Sequence, residues 1–187
     1  MASFASGTTG SADLFSIIRS RRKCAAYMSK AVPKETLHFI AEMAHSAPTG
    51  GGHDSREFII VTERSLLDKL SETHEHSKWL LQAPAALTIL GNPQESQYWL
   101  EDSCIAGEHI WLAATALGLG ASWAAMYQSD DPAESKRRED HVRGVLSIPN
   151  YLRPVAVIGL GFPSNNDPPK GVSRKSNLEG ILHMNKY

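Results

Sequence analysis

The chain has 187 residues, 42% hydrophobic and 21% charged, with a formal net charge of −1. This is ordinary globular composition for one domain with a sizeable core, without the basic excess that would draw it to nucleic acid or an anionic membrane. Cys24 and Cys104 stand far apart and form no CxxC pair, so the sequence offers no thiol redox motif and no zinc knuckle.

Met1–Ser11 is small and polar, lacking the basic and apolar regions of a signal peptide. Residues 1–10 are expected to be a disordered lead, and residues 11–187 a single cytoplasmic domain with no membrane span. A first helix is predicted over Ser11–Ser20 from Leu14, Phe15, Ile17 and Ile18, then an extended stretch from Arg21 to Val32. Pro33 suits the first turn of a second helix, which ends near Ser46 ahead of Pro48. A loop with three consecutive glycines leads to a strand at Phe58–Val61. A helix is predicted over Ser65–Glu75, and a strand over Ala85–Leu90 that stops at Gly91-Asn92-Pro93. Tyr98–Leu117 reads as the longest helix, apolar over much of its surface and therefore central and largely buried, with Cys104 as a small core residue. Gly118 or Gly120 supplies its left-handed cap. A third strand is predicted at Ser122–Ala125, a polar helix begins at Asp130-Asp131-Pro132, and a fourth strand covers Pro154–Leu160. A last short helix includes Leu178, Ile181 and Leu182. Together these give one α+β layer structure.

Three segments carry the chemistry. Arg21-Arg22-Lys23 places three cations just past a helix, a turn that could grip a phosphate or simply be solvated. Ala47-Pro48-Thr49-Gly50-Gly51-Gly52 removes three side chains in a row, so backbone can approach a flat ligand closely. Ala116-Leu117-Gly118-Leu119-Gly120-Ala121-Ser122-Trp123 is a glycine-capped helix end running into a strand. Lys136-Arg137-Arg138, interleaved with acids, reads as a solvated helix face. His53-Asp54-Ser55 holds the residue types of a hydrolase triad, but neighbours in sequence cannot line up nucleophile, base and orienter. His74 and His76 point different ways and make a poor metal site. Trp99 and Trp111 are expected as core or interface anchors.

The order and spacing of the three segments resemble those of the nitroreductase family of FMN-dependent, dimeric oxidoreductases, over roughly residues 13 to 187. The family's Arg-Arg-Ser-x-Arg-x-Phe motif corresponds to Arg21–Tyr27, with Pro33 at the family's spacing; Lys23 stands for the serine and Ala25 for the second basic residue. The family's Ala-Pro-Ser-Ala-x-Asn-x-Gln-Pro-Trp loop corresponds to Ala47–Arg56, with Gly52 in place of the asparagine. Either the Gly51 and Gly52 backbone then contacts the flavin, or the ring is held less firmly. Asp54 and Arg56 make the substrate-facing surface more charged. The Ala-Leu-Gly-Leu-Gly-x-x-Trp segment implies that Ala125 and Met126 pass the flavin's N5 and O4 edge, and Arg174 corresponds to a basic residue that returns to the phosphate.

The resemblance implies a nitroreductase-like fold, a central antiparallel sheet flanked by helices in an intertwined homodimer with FMN at its interface. The implied cofactor contacts are Arg21, Arg22, Lys23, Pro48, Thr49, Gly50, Gly52, Ala125, Met126 and Arg174. It also implies ping-pong hydride transfer from NADH or NADPH through flavin N5 to a nitroaromatic, quinone or similar small oxidant, with no catalytic side chain and no metal. A non-catalytic flavin-binding or sensing protein of the same fold is the rival. A dehalogenase or flavin-fragmenting enzyme of the same superfamily is a weaker one.

Overall fold

In the computed structural model, which describes residues 14–164 and 180–186, four strands form one antiparallel sheet between two layers of helices. The elements are α1 (Leu14–Ser20), α2 (Lys34–His45), β1 (Arg56–Val61), α3 (Arg64–Leu70), β2 (Ala85–Gly91), α4 (Trp99–Ala116), β3 (Gly120–Ala125), α5 (Pro132–Leu146) and β4 (Arg153–Gly161). The strand order is β1-β2-β4-β3, so β2 and β4 are central and β3 is an edge. β2 is buried along its whole length because both faces are covered. Its alternate residues serve two cores: Ala86 and Leu90 meet Leu67, Leu70 and Val142 of α3 and α5. Ala85, Leu87 and Ile89 meet Leu37, Ile40, Ala106 and Ile110 of α2 and α4.

Four sequence expectations change. The helix expected over Ser65–Glu75 stops at Leu70, and a 3₁₀ segment follows over Glu75–Leu81. The Ser71 and Thr73 hydroxyls donate back to the carbonyls of Asp68 and Leu70 and so compete with the helical ladder. Helix α4 is buried on one face only: Ala106, Gly107, Ile110 and Ala114 are covered, while Ile105 is 41% exposed. Cys104 lies on the uncovered side and is exposed, not a core residue. Residues 180–186 form turns rather than a helix; Leu178, Arg174 and the N-terminal lead lie outside the described residues. Among the described residues no helix is long and apolar enough to cross a membrane.

Candidate functional site

The basic turn is fixed by its backbone. The Arg21 amide closes α1 on Ile17 O at 3.0 Å, and the Arg22 carbonyl accepts the Trp111 indole N–H at 3.0 Å. Cys24 N–H then donates to Ala121 O at 3.0 Å, and the Ser122 hydroxyl donates to Cys24 O, so residues 22–24 run alongside the start of β3. That approach needs a bare Gly120, since a Cβ there would lie 2.5 Å from Cys24 Cβ. Of the side chains, the Arg21 guanidinium lies 4.7 Å from the centre of the Trp111 ring and 3.3 Å from Glu108. Lys23 is exposed.

The glycine loop is held by buried charge instead. Asp102 on α4, 2% exposed, accepts the Gly50 N–H at 2.8 Å and the Ser55 hydroxyl at 2.6 Å. Arg56, 8% exposed, donates to the carbonyls of Ala47, His45 and Asp102 at 2.9, 3.2 and 3.2 Å. Burial pulls the Arg56 pKa down, and Asp102 beside it pushes back up. Arg56 therefore does not face a substrate, as its position beside the loop had implied; it ties the end of α2 and the loop to α4. Gly51 and Gly52 take left-handed φ values of 70° and 76°, and a Cβ on Gly50 would strike the Tyr98 ring at 2.2 Å. Pro48 is exposed and Thr49 half-buried at the loop's start. Sequence reasoning missed Asp102 and gave Arg56 the wrong surroundings. The available signal was an acid inside an apolar helix, because a buried carboxylate must find partners.

At the far end of β3 the backbone alternates. Met126 N–H donates to Val155 O of β4 at 2.9 Å. In an antiparallel ladder a residue's N–H and C=O point to the same side and successive residues point oppositely, so Ala125 directs both groups off the sheet edge. The Ala125 carbonyl accepts Arg138 Nη1 at 3.2 Å. Of the two residues expected at a flavin edge, Ala125 thus has an outward amide, whereas Met126 spends its own inside the sheet and is fully buried. A cleft of about 340 Å³ opens here, walled by Leu100, Cys104, Trp123, Ala125 and Tyr127. Although exposed, the Cys104 thiol is partly screened by its neighbours; this desolvation pushes its pKa up and Glu101 adds to the rise. Tyr127 is wedged edge-on against Trp99, and the Arg153 guanidinium sits 4.8 and 4.9 Å from the two ring centres. Arg153 is in turn gripped by buried Glu139 at 2.9 and 2.6 Å.

Helix α4 separates these pieces. Leu100, Cys104 and Trp111 share one flank, which brings the basic turn and the Ala125 edge together along β3. Asp102 shares the other flank with His109, whose Nδ1 lies 3.0 Å from Met43 O of α2. Trp111 is nine residues from Asp102, about two and a half helical turns, so the glycine loop lies across the helix from the basic turn.

This arrangement can be set beside known proteins. The family model for the nitroreductase family matches residues 18–77 and 67–162. A protein of Methanothermobacter thermautotrophicus named "Putative NADH dehydrogenase/NAD(P)H nitroreductase" is 32% identical over 163 residues, 86% of this chain and 82% of that protein. A crystal structure bearing the same name, from Bacteroides thetaiotaomicron, superposes with a TM-score of 0.83 at 32% identity, covering 96% of this chain and 100% of that one. An FMN-dependent nitroreductase of Clostridium difficile gives a TM-score of 0.80 at 26% identity, over 91% of this chain and 98% of that one. The chain belongs to the nitroreductase family.

Proposed function

We propose that this chain is an FMN-dependent NAD(P)H oxidoreductase that works as a homodimer. One observation carries the reading: the edge of β3 begins at the basic turn beside Ala121 and ends, about 14 Å away at the antiparallel rise per residue, at the outward amide of Ala125 in an open cleft. That edge fits a ligand with a phosphate at one end and a flat acceptor-bearing ring at the other. Arg21, Arg22 and Lys23 would hold the phosphate, with Arg174 as a further basic partner. The Ala125 N–H would donate to the ring's acceptor edge, while Met126 locks the strand end by packing beneath it. When bound there, FMN supplies hydride chemistry at N5 between NADH or NADPH and a small oxidant such as a nitroaromatic or quinone.

The dimer is supported by two features. Leu14, Phe15 and Ile18 of α1 are 58%, 66% and 47% exposed, and Ile105 adds to this apolar surface on α4. The glycine loop lies on the wrong flank of α4 to reach the same ligand as the basic turn, so Pro48, Thr49, Gly50 and Gly52 would complete the site of a second copy. The test is to titrate the purified protein with FMN, follow flavin fluorescence, and measure mass in solution. We expect FMN uptake by a dimer, bleaching on addition of NADPH, and reoxidation by a quinone. Uptake without bleaching by NADH or NADPH supports the non-catalytic flavin binder instead. No uptake, or uptake by a monomer, contradicts the shared site.

A further inference from the structure

Building on the FMN reading, we propose that Arg138 is a positioning residue for the flavin edge, acting through Ala125 to favour the reduced ring. The sequence places Arg138 in a solvated charge run, yet its side chain is only 17% exposed. Its Nη1 donates to the Ala125 carbonyl at 3.2 Å, on the same side of the strand as the Ala125 N–H. An acceptor bound to that N–H would therefore lie on the guanidinium's side of the strand, next to it along the edge.

The carboxylate that Arg138 binds is shared, and Asp130 is a further acid lining the cleft beside Ala125. Arg138 Nε is held by Glu134 Oε1 at 2.7 Å, and the same carboxylate also takes Arg137 Nε at 2.6 Å and Nη2 at 2.7 Å. One carboxylate thus serves two guanidinium groups, so this trio of side chains carries one net positive charge. It also fixes the direction in which Arg138 points, so no reorientation is needed when charge develops nearby. A hydride brings two electrons and one proton, adding one net negative charge to the ring that accepts it, while NADH or NADPH leaves as NAD(P)⁺. A fixed, partly desolvated cation beside that ring stabilises the product of this step more than the starting form.

The experiment measures the FMN midpoint potential by equilibration with a redox dye, together with oxidised-FMN affinity, in wild type, Arg138→Gln, Arg138→Lys, Glu134→Gln and Lys136→Gln. Arg138→Gln keeps a donor for the Ala125 carbonyl but loses the charge. We expect its potential to fall, so that reduced FMN loses about tenfold or more in affinity relative to oxidised FMN. Arg138→Lys should keep most of the wild-type potential. Glu134→Gln removes the counter-charge and should shift the potential the other way, which preserves the test if Arg138→Gln does not fold. Lys136→Gln deletes an exposed charge of the same helix, paired with Asp140, and should leave the potential in place. A wild-type potential in Arg138→Gln, or equal shifts in Arg138→Gln and Lys136→Gln, overturns the proposal. Wild-type protein that takes up no FMN overturns the parent reading, and this one falls with it.

Discussion

The basic turn and the glycine loop flank the same helix but are built on opposite plans. The turn is held by backbone hydrogen bonds to Trp111 and Ala121, leaving cationic side chains at or near the surface. The loop presents almost no side chains and is held from behind by the buried Asp102 and Arg56. Charge in the first region stays at or near the surface, where Arg21 meets Glu108; charge in the second is buried and spent on the fold. The same residue types therefore carry different consequences when changed.

The largest effect should come from the loop's clasp. Asp102→Ala strips the Gly50 amide and Ser55 hydroxyl of their acceptor and removes the larger of the two carboxylate charges acting on buried Arg56, which keeps its bond to the residue's backbone carbonyl. Each buried donor left unpaired costs about 1–3 kcal/mol, read as a lowered urea midpoint in the protein without FMN. A loss below about 1 kcal/mol would erase the contrast between the regions. Arg21→Ala should invert the pattern. FMN affinity should drop about 10- to 150-fold, the value of a charge-assisted hydrogen bond of roughly 1.5–3 kcal/mol. Stability should change by less than about 1 kcal/mol, because the ion pair to Glu108 is largely solvated. Unfolding curves and fluorescence titrations on the same preparation check both halves. Unchanged affinity would mean that the phosphate is held elsewhere.

Gly52 sharpens the comparison within the loop. A Cβ there meets nothing within 4 Å, so the cost of substitution is backbone strain at φ +76°. Gly52→Ala should lose about 1–2 kcal/mol, and Gly52→Asn less, since asparagine tolerates the left-handed region. If an asparagine amide also reaches a flavin, FMN affinity should rank asparagine above alanine; equal affinities would show that position 52 faces no ligand.

The smallest effect concerns acid. Arg137 and Arg138 hold the Glu134 carboxyl down at about 2, against an ordinary 4.5. A depressed folded pKa means that the group's stabilisation is present above pH 4.5 and is lost as pH falls toward 2. Glu134→Gln should flatten that limb of the stability–pH profile, seen in thermal melts across pH 2–5. A profile identical to wild type would show the pairs to be fully solvated.

How much of this was legible in advance follows from how local each cause is. The four strands and the long helix were readable because apolar periodicity is a local signal, and the motif spacing around Arg21–Lys23 and Gly118–Trp123 pointed to the family. The end of α3 was misread because hydroxyl groups at Ser71 and Thr73 look like ordinary helix positions until their carbonyl partners are known. Arg138 was read as solvated and Arg56 as facing a substrate for a related reason: only the packing of a distant element decides whether an arginine in a polar stretch is buried.

By itself, the sequence determined the family and the layered α+β architecture, since both are written in residue type and spacing. Tertiary structure alone decided which amide, Ala125 rather than Met126, points off the sheet, because that depends on the β3–β4 register. It alone decided that the basic turn and the glycine loop lie on opposite flanks of α4, because flank is set by helical phase against the sheet. It also made Asp102, Arg56 and Arg138 structural partners of backbone carbonyls and amides, since burial belongs to the folded packing and not to any one stretch of chain.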